Sequence, residues 1–206
     1  MHATPLPAAV APRQESRQSY RTIGWDQAEE TGDDGAIETS SDSSRTVARV
    51  SGEGRPLHLR SRALGAGRCR ALVPRRGALE AHMASGTHRL PTGSILIVDG
   101  DTPIDLQASG DAAWIEWQLP SPPFPPGTPP ASPFALGDGM SQLIASLTES
   151  LIEKPPESDG QGAPFLTRAL SHVLVSAVAD EPGLPPSPEQ DGQGVVRDAR
   201  GGSSAA

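Results

Sequence analysis

Several residue types are scarce in this chain of 206 residues, and each scarcity excludes a class of protein. Cys69 is the single cysteine, which excludes the small secreted domains that internal disulfides hold together. The first dozen residues lack the basic stretch and apolar stretch of a signal peptide. No apolar run approaches the ~20 residues of a membrane-spanning helix. We therefore expect a cytoplasmic protein without a membrane association.

Aromatic residues are also rare, at 3% of the chain, whereas glycine and proline number 22 each. Such a chain buries too little apolar surface to order its whole length. We therefore expect disorder over residues 1–45, which close in a Ser-rich run, and over the tail 181–206. Within the first segment, Tyr20, Ile23 and Trp25 are expected to be solvated, the alternative being a short arm that docks on the folded part. The net charge of −8 argues against direct DNA binding by this chain.

Short runs with a period of two occupy residues 46–120 and predict a β domain. About six strands joined by tight turns, with no intervening helix, predict a mainly β, antiparallel barrel or sandwich. The last strand is expected to bury Ala113, Ile115, Trp117 and Leu119 and to turn Trp114, Glu116 and Gln118 outward. The run at 95–98 is apolar throughout, which is typical of a strand buried on both faces.

A proline-rich linker is predicted at 121–135, followed by a two-helix appendage at 136–180. Apolar residues at helical spacing place the helices at 136–154 and 164–180, paired across a short loop. We expect Trp114 to be covered by these helices. Their apolar face is the predicted association surface, and its residues are Leu143, Leu147, Leu151, Leu170, Val173 and Leu174.

Three features are candidates for chemistry, and each has a plainer interpretation. Glu80, His82 and His88 suggest a metal site, but His82 lacks a histidine partner one position away, and we expect wet polar side chains without metal, cofactor or catalytic residues. A basic cluster suggests an anionic ligand or a nucleic-acid backbone, although an outward strand face paired with acids is favoured. Cys69 is expected to be buried and inert. The cluster comprises Arg55, Arg60, Arg62, Arg68, Arg70, Arg75 and Arg76.

Residues 52–119 resemble the N-terminal, cupin-like sensor domain of AraC-family transcription regulators. The resemblance rests on the run 90–99, on Thr102-Pro103 and on the run 114–120, which ends at a proline before the helices. It departs from the family at Ser94, where an Asp is usual, and the two helix-turn-helix units expected after the helices are replaced by the tail ending at Ala206.

The resemblance implies a sensor or dimerisation domain of such a regulator without its DNA-binding half. Its partners would be a small-molecule effector in the barrel mouth and a second copy or a related regulator. Two alternatives stay open at this point. One is a metal-dependent cupin-type enzyme that uses Glu80, His82 and His88, and the other is a truncated, inactive gene product.

Overall fold

The computed structural model describes residues 20–27, 35–52, 54–122, 124, 133–156 and 162–179. Within them a 3₁₀ turn, Tyr20–Ile23, precedes the strands, and two helices follow, α1 (Asp138–Glu153) and α2 (Gly162–Ala179). The strands are β1 (Trp25–Gln27), β2 (Gly35–Ser41), β3 (Thr46–Gly52), β4 (Leu57–Ser61), β5 (Arg68–Arg76), β6 (Leu79–Met83), β7 (Gly86–Leu90), β8 (Ser94–Asp99), β9 (Asp105–Ala108), β10 (Ala113–Pro120) and β11 (Phe134–Ala135).

The strands form two antiparallel sheets, which confirms the predicted mainly β sandwich. The smaller sheet has the order β1-β4-β9-β6-β7, and the larger sheet has the order β11-β8-β5-β10-β3-β2. Both predicted helices are present and lie close to their expected bounds. They pack on the outer face of the larger sheet, where α1 contacts β3 and β2 and α2 contacts β10.

Three layers give the molecule two apolar interiors, one on each side of the larger sheet. The inner one lies between the sheets and includes Trp25, Leu59, Leu72 and Trp114. The outer one lies between the larger sheet and the helices and includes Trp117. The central strands β5, β8 and β10 are therefore buried on both faces, as predicted for the run 95–98.

Strand β10 shows why this layering matters for the polar residues. Ile115, Trp117 and Leu119 face the helices, so Glu116 and Gln118 point between the sheets, where they are 0% and 5% exposed. The prediction that these two side chains are outward was wrong. Trp114 is covered by the smaller sheet and not by the helices. A period of two separates the faces of a strand but does not say that one of them is wet.

The N-terminal segment was also predicted wrongly where the structure describes it. Tyr20, Ile23 and Trp25 are buried in the inner interior, so the docked arm is the correct alternative. Strand β2 extends the larger sheet beside β3 and includes part of the Ser-rich run that we expected to be disordered. The predictions of disorder for residues 1–19 and 181–206 lie outside the described residues.

The turn between β2 and β3 fastens α2 to the sheet. Asp42 Oδ1 accepts hydrogen bonds from the backbone N–H of Ser44 at 2.7 Å and of Arg45 at 3.0 Å. The Asp42 carboxylate also pairs with the buried Arg45 guanidinium. Ser44 Oγ lies 2.9 Å from Thr167 Oγ1 on α2. The local sequence 42–45 is therefore an Asx-type turn that contacts a helix more than a hundred residues later.

Strand β11 lies within the predicted linker 121–135, where it pairs with β8 at the edge of the larger sheet. Part of the predicted linker therefore forms a strand, and most of its other residues lie outside the described ranges. Helix α2 is long and apolar enough, by length and composition, to cross a membrane. Its buried residues, among them Leu170 and Leu174, pack on the sheet, and this packing accounts for its apolar character.

Candidate ligand-binding site

A charged pair lies fully buried where the N-terminal arm, residues 20–27, docks on the sandwich. Arg70 Nε of β5 lies 3.0 Å from Glu116 Oε1 of β10, and both side chains are at most 1% exposed. Burial lowers the pKa of the Arg70 guanidinium, and the adjacent Glu116 carboxylate opposes that shift. A buried ion pair is stable only when its remaining polar atoms are also satisfied.

The arm and Gln118 of β10 supply polar groups that contact this pair. Trp25 Nε1 donates to Glu116 Oε2 at 2.6 Å, and the Trp25 ring centroid lies 4.3 Å from Arg70 Cζ. Arg70 Nη2 donates to the carbonyl of Gly24 at 3.1 Å. Gln118 Nε2 donates to the carbonyl of Ile23 at 2.6 Å and to Glu116 Oε1 at 2.7 Å. The arm is therefore held by specific polar contacts as well as by its apolar side chains.

Gly24 allows the arm to approach this closely. Its φ of +73° lies in the left-handed region, which favours glycine. A Cβ there would lie 3.0 Å from Arg70 Nη2 and 3.4 Å from Leu64 Cδ2. A side chain at this position would press on both the guanidinium and the segment that follows β4.

A surface pocket of about 420 Å³ lies over this contact. The arm lines it with Arg21, Thr22 and Gly24, and the sandwich lines it with Arg62, Arg68 and Gln118, among others. Asp26 pairs with Arg21 at 3.5 Å and with Arg62 at 3.1 Å, and Arg68 Nη2 donates to the carbonyl of Gln118 at 3.3 Å. This arm pocket is polar, open to solvent and rimmed by cations.

The structure thus divides the basic cluster predicted from the sequence. Arg70 is buried, which corrects its assignment to an outward face, whereas Arg62 and Arg68 line the arm pocket. Arg60 pairs with Asp105 on the outer face of the smaller sheet, as the plainer interpretation expected. The sequence alone missed Arg21, Trp25, Glu116 and Gln118, although an acid and an amide in the apolar strand β10 were a usable signal.

The predicted mouth of the barrel is not open at the arm. Trp25 and Trp114 are both 0% exposed and fill the inner interior together with Tyr20. The arm pocket lies beside this buried cluster and is open to solvent. The effector site that the sequence analysis placed in the barrel mouth stays a prediction.

Strand register separates the three residues of the proposed metal site. Glu80 and His82 alternate along β6, and Nε2 of His82 lies 3.2 Å from Glu80 Oε1. His88 on β7 is paired with the buried Ala81, so its side chain lies on the same face of the sheet as Ala81. That face is opposite to the one that carries Glu80 and His82. His88 Nε2 contacts Ser85 Oγ at 3.2 Å. In the described ranges, no group of three His, Cys, Asp or Glu side chains is placed to hold a metal ion.

Cys69 is 1% exposed in the outer interior, as expected. Burial raises the pKa of its thiol to about 11, which keeps it protonated and unreactive at neutral pH.

The six residues predicted to mediate association fall into three groups by their exposure. Leu151, Leu170 and Leu174 are buried against the larger sheet and are unavailable to a partner. Leu147 and Val173 are partly buried in the same layer, and Leu143 is 43% exposed. Among the described residues, the exposed large hydrophobic side chains are Leu143 and Phe165, at 71%, and both lie on the helices.

No protein-family model matches this sequence, and no curated protein sequence is similar to it. Among solved structures, the AraC-like transcriptional activator CuxR is similar with a TM-score of 0.54 and 11% identity, over 79% of this chain. The chain thus spans 64% of the length of that activator. An RmlC-like cupin protein from Desulfovibrio desulfuricans is similar with a TM-score of 0.35 and 16% identity, over 42% of this chain and 83% of that protein. The cupin domain of an XRE-family regulator from Enterobacter cloacae is similar with a TM-score of 0.35 and 16% identity, over 43% of this chain and 97% of that domain. The likeness to the AraC-like activator shows that this chain shares its fold.

Proposed function

We propose that the chain is a sensor and association domain of a transcription regulator of the AraC type. The observation that carries this proposal is the combination of a cupin-like sandwich with two helices whose outer surface still exposes Leu143 and Phe165. We propose that these two side chains, one on each helix, are covered by another protein chain. The partner is a second copy of this chain or a related regulator.

We further propose that DNA is contacted by the partner and not by this chain. In support, the described helices α1 and α2 form a layer on the larger sheet, whereas a helix that reads the major groove is presented by a helix-turn-helix unit. The net charge of −8 also opposes binding to phosphates.

We propose that the domain acts in the cytoplasm by binding and not by catalysis. The separation of His88 from Glu80 and His82 supports a role in binding without catalysis, since a metal-dependent cupin-type enzyme would need these three side chains on one face of the sheet. Elemental analysis tests it: stoichiometric metal that is lost in His82→Ala would contradict the proposal.

Sedimentation velocity of the full chain tests the association. We expect a dimer, and we expect Leu143→Glu with Phe165→Glu to shift the dissociation constant upward by at least about tenfold, since a charge replaces an apolar contact (about 1.4 kcal/mol). Circular dichroism should remain unchanged because both residues are exposed. The matched control is Ser150→Glu, which places a charge on the exposed surface of α1.

Two results would refute the association. One is a chain that stays monomeric at high concentration and also fails to bind a full-length AraC-type regulator. The other is a dimer that Ser150→Glu weakens as much as the pair of apolar substitutions does.

A further inference from the structure

The arm pocket combines cations from two parts of the chain that are distant in sequence. Arg21 comes from the arm, Arg62 follows β4, and Arg68 begins β5. Three guanidinium groups thus border one cavity. Guanidinium groups bind phosphate and carboxylate oxygens through paired N–H donors, so their convergence favours an anion with several oxygens.

None of the described residues that line the pocket is acidic. At the rim of the pocket, the Asp26 carboxylate pairs with Arg21 at 3.5 Å and with Arg62 at 3.1 Å. Asp101 accepts the backbone N–H of Gly65 at 3.2 Å and does not line the pocket. Several guanidinium groups around one cavity suit a phosphate, whose oxygens accept N–H donors from more than one of them, better than a single carboxylate.

The size and the remaining lining indicate more than a bare ion. A volume of about 420 Å³ lies in the range of small-molecule sites, which is about 300–1,000 Å³. Ala63 and Leu64 add apolar side chains to the lining. The side-chain amide of Gln118, which also lines the pocket, donates hydrogen bonds to the Ile23 carbonyl and to Glu116. These hydrogen bonds hold the Gln118 side chain in place without a ligand.

We propose that the arm pocket binds a phosphate-bearing small molecule, with the phosphate between Arg62 and Arg68 and the organic part against Ala63 and Leu64. This inference rests on the proposed function only in that such a ligand would be the effector of the sensor domain. The binding of the ligand itself is argued from the residues of the pocket. A ligand held there contacts both the arm and the sandwich, and so stabilises the docked arm by mass action.

Isothermal titration calorimetry of the full chain at physiological salt tests the proposal. The probes are phenyl phosphate, inorganic phosphate, benzoate and phenol. We expect phenyl phosphate to bind most tightly, inorganic phosphate and benzoate more weakly, and phenol not at all. Arg62→Gln and Arg68→Gln should each weaken phenyl phosphate by about tenfold, or about 1.4 kcal/mol.

The matched control is Arg60→Gln, because Arg60 and Arg62 are both exposed and each pairs with one aspartate at 3.2 Å and 3.1 Å. Arg60 lies outside the pocket lining and should leave binding unchanged. The proposal is overturned if no phosphate-bearing probe binds more tightly than about 10 mM. It is also overturned if phenol binds as well as phenyl phosphate, or if Arg60→Gln is as harmful as Arg62→Gln.

The two proposals fail separately. A monomer that binds phenyl phosphate through Arg62 and Arg68 would remove the association function and keep this site. A dimer that ignores every phosphate probe would do the reverse.

Discussion

Replacing Glu116 with glutamine should destabilise the protein far more than its small change in shape suggests. The carboxylate lies within 3.0 Å of three N–H groups, on Trp25, Gln118 and Arg70, and is 0% exposed. Both of its oxygens face donors. A glutamine amide must therefore turn its NH₂ toward one of these N–H groups, and it leaves the Arg70 charge buried without a counter-ion.

Breaking a buried pair from one side costs about 3–5 kcal/mol. Domains have about 5–15 kcal/mol of stability, so Glu116→Gln should remove a large share of the total free energy of unfolding. The matched control is Glu38→Gln. Its partner is Arg49, and the two side chains are 45% and 49% exposed, so we expect a loss of about 0–1 kcal/mol there.

Urea unfolding followed by tryptophan fluorescence measures both variants. Trp25, Trp114 and Trp117 are all buried, so the emission reports unfolding of both interiors. Because Trp25 lies on the arm, acrylamide quenching of Glu116→Gln without urea reports whether the arm has left the sandwich. A loss below about 1 kcal/mol, equal to that of Glu38→Gln, would refute the reasoning that the buried pair holds the arm.

Two further predictions concern the contacts between the helices and the sheet. Burial would raise the pKa of Asp42, but the hydrogen bonds from Ser44 and Arg45 outweigh burial and lower that pKa below its usual value of 3.8. The stabilisation of the fold by the ionised Asp42 carboxylate is therefore present above about pH 4, and it is lost as the pH falls through the folded-state pKa. Asp42→Ala should therefore lower the free energy of unfolding in urea by about 1–3 kcal/mol at pH 7. The difference in this free energy between the variant and the parent should narrow below pH 4, and a difference that is constant with pH would contradict the prediction. Thr148 Oγ1 accepts the Trp117 indole N–H at 2.9 Å, so Thr148→Val should cost about 1–3 kcal/mol in thermal or urea unfolding, while Thr148→Ser should cost clearly less because it keeps the hydroxyl.

The pattern of the sequence was sufficient for the fold class and the two helices, but not for strands β1, β2 and β11. A period of two in 46–120 and helical spacing beyond residue 136 predict the sandwich and the two helices, because these periods follow from local backbone geometry. The same pattern predicts the burial of Cys69 with Ala71 and Val73, and all three lie in the outer interior.

The sequence by itself could not say what covers each strand face. Glu116 and Gln118 in β10 were assigned to solvent because a polar side chain is expensive to bury alone, and only the arm, about ninety residues earlier, supplies their partners. Tyr20 and Trp25 in turn were assigned to solvent because the arm has no core of its own. Alternation is a local property of the chain, whereas burial and charge pairing depend on segments far apart in sequence, and these were decided by the tertiary structure alone.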